Sequence, residues 1–150
     1  MNKSKQSIAE NKLFILGCNT VITKGKQVLL GKRKGDYGAG TWGLPGGHLE
    51  YGEDLIDGAR RELMEEVGIE NPKLEFLSVV EGSRDKGHYI QINFILENFT
   101  GEIKHMEPEL CEEWKFFDLD NLPEDLFPPH KNILEAYENR EPYYPMKHPY

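Results

Sequence analysis

Residues 47–69 read GHLEYGEDLIDGARRELMEEVGI, and the rest of the chain is best understood outward from them. Within this stretch, residues 54–67 carry the strongest helical signal in the sequence. Ile56, Ala59, Leu63 and Val67 recur at helical spacing and form one apolar face, Asp54 is placed to cap the start, and Gly68 supplies the stop. On a wheel of about 100° per residue, Glu62, Glu65 and Glu66 stand at i, i+3 and i+4 and share the opposite face. Like charges at this spacing destabilise an isolated helix by roughly 0.2–0.5 kcal/mol per pair. These three also crowd the last turns, where the helix dipole disfavours anions. Arg60 and Arg61 offset part of that repulsion. A divalent cation offsets it better, because carboxylate oxygens suit Mg²⁺ or Mn²⁺, and Mg²⁺ takes one or two carboxylates together with substrate phosphates. The competing reading is a solvated charged face. From Glu53 to Glu66 there are six acids and two bases, a net −4 that is half of the chain's −8.

The flanks add to the acidic helix. Pro45-Gly46-Gly47-His48 brings bare backbone close to whatever the helix binds, because glycine puts no side chain in the way, and a Gly46 carbonyl could join a metal shell. Lys32, Arg33 and Lys34 are the densest basic run in an acidic protein and end a predicted strand. Positive side chains beside a metal-binding acidic helix suit a polyphosphate substrate.

Elsewhere the patterning predicts strands over residues 13–23 and 27–33, joined as a hairpin by Lys24-Gly25-Lys26, and a short strand over 42–44 stopped by Pro45-Gly46-Gly47. It predicts further strands over 74–81, 89–96 and 113–118, and a second helix over 131–139. The reading is one domain of mixed strands and helices, with a flexible lead-in over 1–11, the domain over 12–140, and a Pro- and Tyr-rich tail without periodicity over 141–150.

At 150 residues, 38% hydrophobic and 29% charged, the composition is that of a folded domain rather than a disordered chain. The longest apolar runs fall far short of the ~20 residues that cross a bilayer, and the polar, basic start predicts no secretory signal. The net charge of −8 argues against nucleic-acid backbone binding as the main function. Cys18 and Cys111 make neither a disulfide scaffold nor a CxxC site, so a reducing cytoplasm is the expected setting and two small buried side chains the expected role. Trp42, Phe94 and Trp114 read as core, while His88 and Gln91 are open between an ordinary strand and a ligand pocket.

Gly47, Glu53, Arg61, Glu62, Leu63, Glu65, Glu66, Gly68 and Ile69 fill every fixed position of the Nudix box: Gly, five residues, Glu, seven residues, Arg-Glu, an aliphatic, one residue, Glu-Glu, one residue, Gly and an aliphatic. A chance match in a chain of this length is on the order of one in ten million. LLGKRKG (29–35), GAG (38–40), LPGGHLE (44–50) and Glu107-Pro108-Glu109 with Glu113-Trp114 extend the resemblance, which is to the MutT-type pyrophosphatases and within them to the Nudix-fifteen group.

The resemblance implies an α/β/α sandwich with a mixed sheet, and Mg²⁺- or Mn²⁺-dependent hydrolysis of a nucleoside diphosphate linked to a further group. It implies Glu62 and Glu66 as principal metal ligands, Glu65 as a further ligand or the holder of a metal-bound water, and the Gly46 carbonyl as an extra ligand. It implies Arg61 and Glu53 as a brace, with Gly47 and Gly68 shaping the motif. Arg33, Gly46, Gly47 and His48 would bind substrate. Glu62, Glu65 or an acid between 107 and 113, Glu112 foremost among the latter, would be the general base. Homodimerisation rests on the resemblance alone. The marks of NADH-cleaving, ADP-ribose-cleaving and dinucleoside polyphosphate-cleaving members are missing, which leaves a small-molecule nucleoside triphosphate, ordinary or modified, cut to a monophosphate and pyrophosphate. Cleavage of ADP-ribose or a nucleotide sugar, or nucleotide binding without hydrolysis, are the alternatives.

Overall fold

A computed structural model describes residues 13–84 and 87–146. The expected lead-in over 1–11, residues 85–86 of the charged loop and the last four residues of the expected tail lie outside them. Strand β1 (Leu13–Lys24) turns through Gly25 and Lys26 into β2 (Gln27–Arg33). The predicted hairpin is there, but it pairs only Thr23 with Val28 and Lys24 with Gln27. The remainder of β1 lies parallel to β6 (Gly87–Leu96), from Leu13 beside Gly87 to Ile22 beside Leu96. Strand β5 (Glu75–Arg84) runs antiparallel to β6, and β7 (Cys111–Asp118) antiparallel to β2, so the sheet is mixed.

Two short strands depart from the sequence reading. The expected short strand is present as β3 (Trp42–Gly43), and it pairs with β2, but the Pro-Gly-Gly stop is itself half strand: Gly46–His48 is β4, paired with Gly17–Asn19 of β1 through Asn19 opposite Gly46, Cys18 opposite Gly47 and Gly17 opposite His48. Gly46 is a glycine because an added Cβ there would run into the backbone of Cys18 and Asn19 on β1. Tyr143–Tyr144, in the stretch that showed no periodicity, is β8, parallel to β5, with Tyr144 buried.

Helix α1 (Leu55–Val67) and helix α2 (Pro128–Asn139) cover opposite faces of the sheet. Strand alternation sorts the core between them. Cys18 and Ile22 of β1, Leu29 of β2, and Ile92 and Phe94 of β6 pack with Ala59, Leu63 and Val67 of α1. Val21, Val28, Leu30 and Ile95 pack with Ile133, Leu134, Ala136 and Tyr137 of α2. A bulge between Phe76 and Ser78 gives β5 one extra residue, so Leu77 joins Val80 on the α2 side although the two are three apart. This is the α/β/α sandwich. Trp42 and Trp114 are half-buried beside these cores, and both cysteines are buried with thiol pKa values pushed up to about 11, chiefly by burial. Among the described residues no helix is long and apolar enough to cross a membrane.

Both ends of α1 follow from local chemistry. Asp54 occupies the N-cap with extended backbone but makes no side-chain cap bond. At the other end Gly68 adopts φ 69°, and the amides of Gly68 and Ile69 close on the Met64 and Leu63 carbonyls. The amides of Lys104 and Met106 then cap the Val67 and Glu66 carbonyls, which ties residues 104–107 to the acidic end of the helix. Leu63 is fully buried at the centre of its cluster. Leu63→Ala is expected to cost about 2–5 kcal/mol, read as a lower midpoint in urea with an unchanged slope.

Candidate active site

Arg61 organises the surface of α1. Its guanidinium donates to both Glu53 oxygens, at 3.0 and 2.8 Å, to the His48 carbonyl at 3.0 Å, to Glu62 at 2.9 Å and to Glu65 at 3.3 Å. One side chain thereby joins the loop before the helix, strand β4 and two of the three helix acids. The Arg61 hydrogen bonds hold the Glu53 carboxyl down to about 2, and Glu53 in turn pushes Arg61 above the usual arginine range. Glu53 also accepts the Glu50 amide at 2.7 Å, which closes the loop.

Glu66 is in a different situation. It sinks into the wall of a cavity of about 40 Å³ lined also by Arg33, Leu44, Glu107 and Trp114. Its hydrogen bond comes from the Gly46 amide of β4, at 2.9 Å. Burial drives its pKa well above the usual carboxylate range, and the charges of Glu62 and Glu107 add to that. Glu62, 12% exposed, is raised by burial against the pull of Arg61. Glu107, delivered by the segment that caps α1, is raised by burial and by Glu65. Two nitrogens near this cavity, Arg33 Nε and Trp114 Nε1, are buried with no partner among the described residues.

This donor set fits a divalent cation. Glu62 and Glu66 are enclosed carboxylates on one stripe; the arginine beside Glu62 is already engaged by Glu53, and Glu66 is bonded to a backbone amide. Among the described residues no three acidic, histidine or cysteine side chains close into a ready-made cage. Mg²⁺ does not need one, since it characteristically takes one or two carboxylates, water and phosphate oxygens. Glu65, 47% exposed, lies at the rim.

A second cavity, of about 200 Å³, is bordered by β4. Gly46, Gly47 and His48 form one wall, Gln91 of β6 the floor, and Phe127 and His130 the far side. Arg33 borders both cavities; its guanidinium lies 4.1 Å over the Phe127 ring and donates to the Tyr37 carbonyl at 3.4 Å. Burial lowers the Arg33 pKa.

The sequence-predicted residues thus fall into two groups. Glu62, Glu65, Glu66, Gly46, Gly47, His48 and Arg33 come together, with Glu53, Arg61 and Gly68 supporting them. Gly46 turns its amide onto Glu66, so its backbone takes part through the donor as well as through any role of its carbonyl. Glu112 stands apart: it faces out of β7 and pairs with Lys32 at 3.3 Å, while Glu107 is the acid of that segment beside Glu66. The basic run likewise divides, with Lys34 donating to the Pro108 carbonyl at 2.9 Å. Of the two residues left open, Gln91 reaches the cavity, and His88 pairs with Glu81 at 3.1 Å and packs on Phe14. Sequence reasoning missed His130 and Phe127. Two prolines at the first turn of α2 hid its start, and with it Phe127 at the N-cap and His130 in the first turn, both of which line the cavity.

Comparison with known proteins agrees with this geometry. The NUDIX domain matches residues 15–137. The chain is 36% identical over 139 residues to an ADP-ribose pyrophosphatase of Methanocaldococcus jannaschii, spanning 89% of this chain and 80% of that protein. It is 33% identical over 118 residues to the oxidized purine nucleoside triphosphate hydrolase of Mus musculus, spanning 72% of this chain and 69% of that one. The crystal structure of a MutT NUDIX hydrolase from Burkholderia pseudomallei superposes with a TM-score of 0.78 at 32% identity, over 83% of this chain and 98% of that one. A complete box on the helix of an α/β/α sandwich, matched across most of the chain, places this protein in the Nudix family as a Nudix hydrolase, a pyrophosphatase.

Proposed function

We propose that the protein is a divalent-metal-dependent pyrophosphohydrolase of nucleoside triphosphates, releasing the monophosphate and pyrophosphate. The observation that carries this reading is that two cavities adjoin: Arg33 lines both, and Glu66 of the smaller one accepts a hydrogen bond from the amide of Gly46, which borders the larger. A phosphate chain anchored at the acidic stripe would lead its nucleoside into the larger cavity. That volume lies below the roughly 300–1,000 Å³ of drug-sized sites and suits one base rather than two.

Glu62 and Glu66 are the side chains that would hold Mg²⁺ or Mn²⁺, with Glu65 and the Gly46 carbonyl as further candidates. Bound there, the ion supplies charge neutralisation on the phosphates and a more acidic water. Arg33, which lines both cavities, binds phosphate oxygens. Water adds to phosphorus, the anhydride bond between the α and β phosphates breaks, and pyrophosphate leaves. Glu107, raised and off the helix, takes the water's proton. Gly47 and His48 line the larger cavity and would contact the nucleotide there.

The resemblance to the archaeal ADP-ribose pyrophosphatase supports a second reading, in which ADP-ribose is the substrate and the bond cut joins its two phosphates. A panel of nucleoside triphosphates plus ADP-ribose, assayed with Mg²⁺, separates the two. Pyrophosphate from a triphosphate supports the first, and AMP from ADP-ribose alone supports the second. No turnover of any compound rejects both.

Glu53 is expected to act through Arg61. Glu53→Gln should weaken Mn²⁺ binding or activity by about 10–100-fold while leaving the fold intact, as for other residues that orient ligands. Because its pKa is depressed, Glu53 supports the brace above the ordinary carboxylate value, and that support is lost only as pH falls toward 2. A carboxyl NMR titration of Glu53 with a midpoint near the ordinary value would contradict this.

A further inference from the structure

The floor of the larger cavity is formed by Gly17, Asn19 and Gln91 and is backed by a polar ladder that runs through Asn93 to Ser78 of β5. Gly17 lies beside Gln91, and Asn19 beside Asn93, in the parallel register of β1 and β6. A Cβ at Gly17 would come within 2.4 Å of Gln91 Oε1, so the glycine makes room for that amide. Asn19 Nδ2 donates to Gln91 Oε1 at 2.7 Å and to Asn93 Oδ1 at 3.2 Å, and Asn93 Nδ2 donates to Ser78 Oγ at 3.2 Å. The ladder orients every amide in it. Gln91 is left with its oxygen engaged and its Nε2–H₂ without a partner among the described residues.

His130 approaches the same cavity from α2. Its Nδ1 accepts the Leu44 amide at 2.8 Å, so the neutral ring carries its proton on Nε2. Burial and the nearby Arg33 charge lower its pKa to about 3, which keeps the ring neutral at physiological pH. Among the described residues the buried side-chain nitrogens without partners are Arg33 Nε and Trp114 Nε1 alone. Gln91 Nε2 and His130 Nε2, equally without protein partners, are therefore open to the cavity both residues line.

We propose that Gln91 and His130 read the nucleobase: two fixed N–H donors select an edge that presents ring-carbonyl oxygens over one that presents an amino group. This rests on the reading above that a nucleoside enters this cavity, and deepens it to a base class. An amino group would meet donor against donor and leave a buried N–H unmade, whereas a carbonyl completes it.

Inosine and adenosine triphosphates differ in oxo against amino at C6, and uridine and cytidine triphosphates differ in the same way at C4. The oxo member of each pair is expected to be favoured about 5- to 100-fold in kcat/KM. Gln91→Leu and His130→Phe should each bring the ratios toward unity. His130→Phe removes the acceptor of the Leu44 amide and can fail to fold, in which case Gln91→Leu and the wild-type ratios decide. Ratios within threefold in the wild type, or undiminished ratios in a folded variant, overturn the proposal. Binding of inosine and adenosine monophosphates without metal is measured alongside. Preference for inosine monophosphate without turnover of any triphosphate would keep this proposal and reject the hydrolytic one. Equal affinity, or no binding of either, would overturn it.

Discussion

Glu66→Gln is expected to lower kcat/KM by about 10²–10⁴-fold, corresponding to the several kcal/mol that a correctly held metal contributes to phosphoryl chemistry. The amide keeps the length of the side chain and can still accept the Gly46 N–H through its oxygen, so the loss reads the charge rather than the shape. The same substitution should stabilise the metal-free protein at neutral pH. The folded-state pKa of Glu66 is raised above its unfolded value. Whatever stability its protonated form lends is therefore fully present below the ordinary carboxylate range and is lost as pH rises through the raised value. Gln never ionises and escapes that loss. Thermal midpoints measured with and without Mn²⁺ give the signature: the wild type gains from the ion, and the variant starts higher and gains little. A variant with wild-type turnover, or one whose midpoint rises with Mn²⁺ as much as the wild type's does, would remove Glu66 from the metal site. Glu62→Gln should follow Glu66→Gln closely, and Glu65→Gln, at the exposed rim, should cost least.

Gly46→Ala carries the second large effect. Gly46 has φ 153°, and an added Cβ would lie 2.2 Å from the Cys18 carbonyl oxygen and 2.5 Å from Asn19 Oδ1. The first of these is backbone and cannot step aside. The pairing of β4 on β1 has to open, and with it the amide that reaches Glu66. A cost of order 3 kcal/mol is expected, with loss of activity beyond what destabilisation explains. Gly47→Ala is the instructive contrast. There the Cβ would meet the Glu62 carboxylate at 2.4 Å, the far end of a flexible side chain. The fold should tolerate it, while Glu62 is pushed off its place and metal affinity falls by about 10–100-fold. Urea midpoints and Mn²⁺ titrations on the two variants should separate in this way. Equal stabilities would show that β4 can slide.

Helix α1 and its acids were legible in the sequence because one element wrote both signals: an apolar stripe at helical spacing, and carboxylates on the stripe opposite. The brace was legible only through the resemblance to the Nudix box, since a spacing of eight residues does not by itself pair Glu53 with Arg61. What the sequence concealed depends on contacts between elements. Pro45-Gly46-Gly47 looks like a turn because glycine is scored for freedom, whereas here it is needed for closeness to β1. Glu107 reaches Glu66 only because two amides of its segment cap the carbonyls of α1, a bond that no local pattern announces. Glu112 escapes simple strand parity, because the pairing of β7 with β2 shifts register between Gly31 and Arg33, and it is exposed where it pairs with Lys32 near the start of the strand. The cavity floor was hidden by strand parity, since Asn19, Gln91 and Asn93 look like interruptions in apolar strands until β1 and β6 are laid side by side.

Strand β1 has to serve two chambers at once. Its even-numbered positions around Cys18 and Ile22 support the helix that carries the acids, and its odd ones around Gly17 and Asn19 pave the room where a base would rest. Inserting or deleting one residue there would exchange the two sets and ruin both. Replacing a single odd-numbered residue retouches the paving and leaves the acid-bearing helix on its footing. Selectivity in this molecule can therefore drift by point changes along one edge of the pleat while the cutting machinery stays where it is.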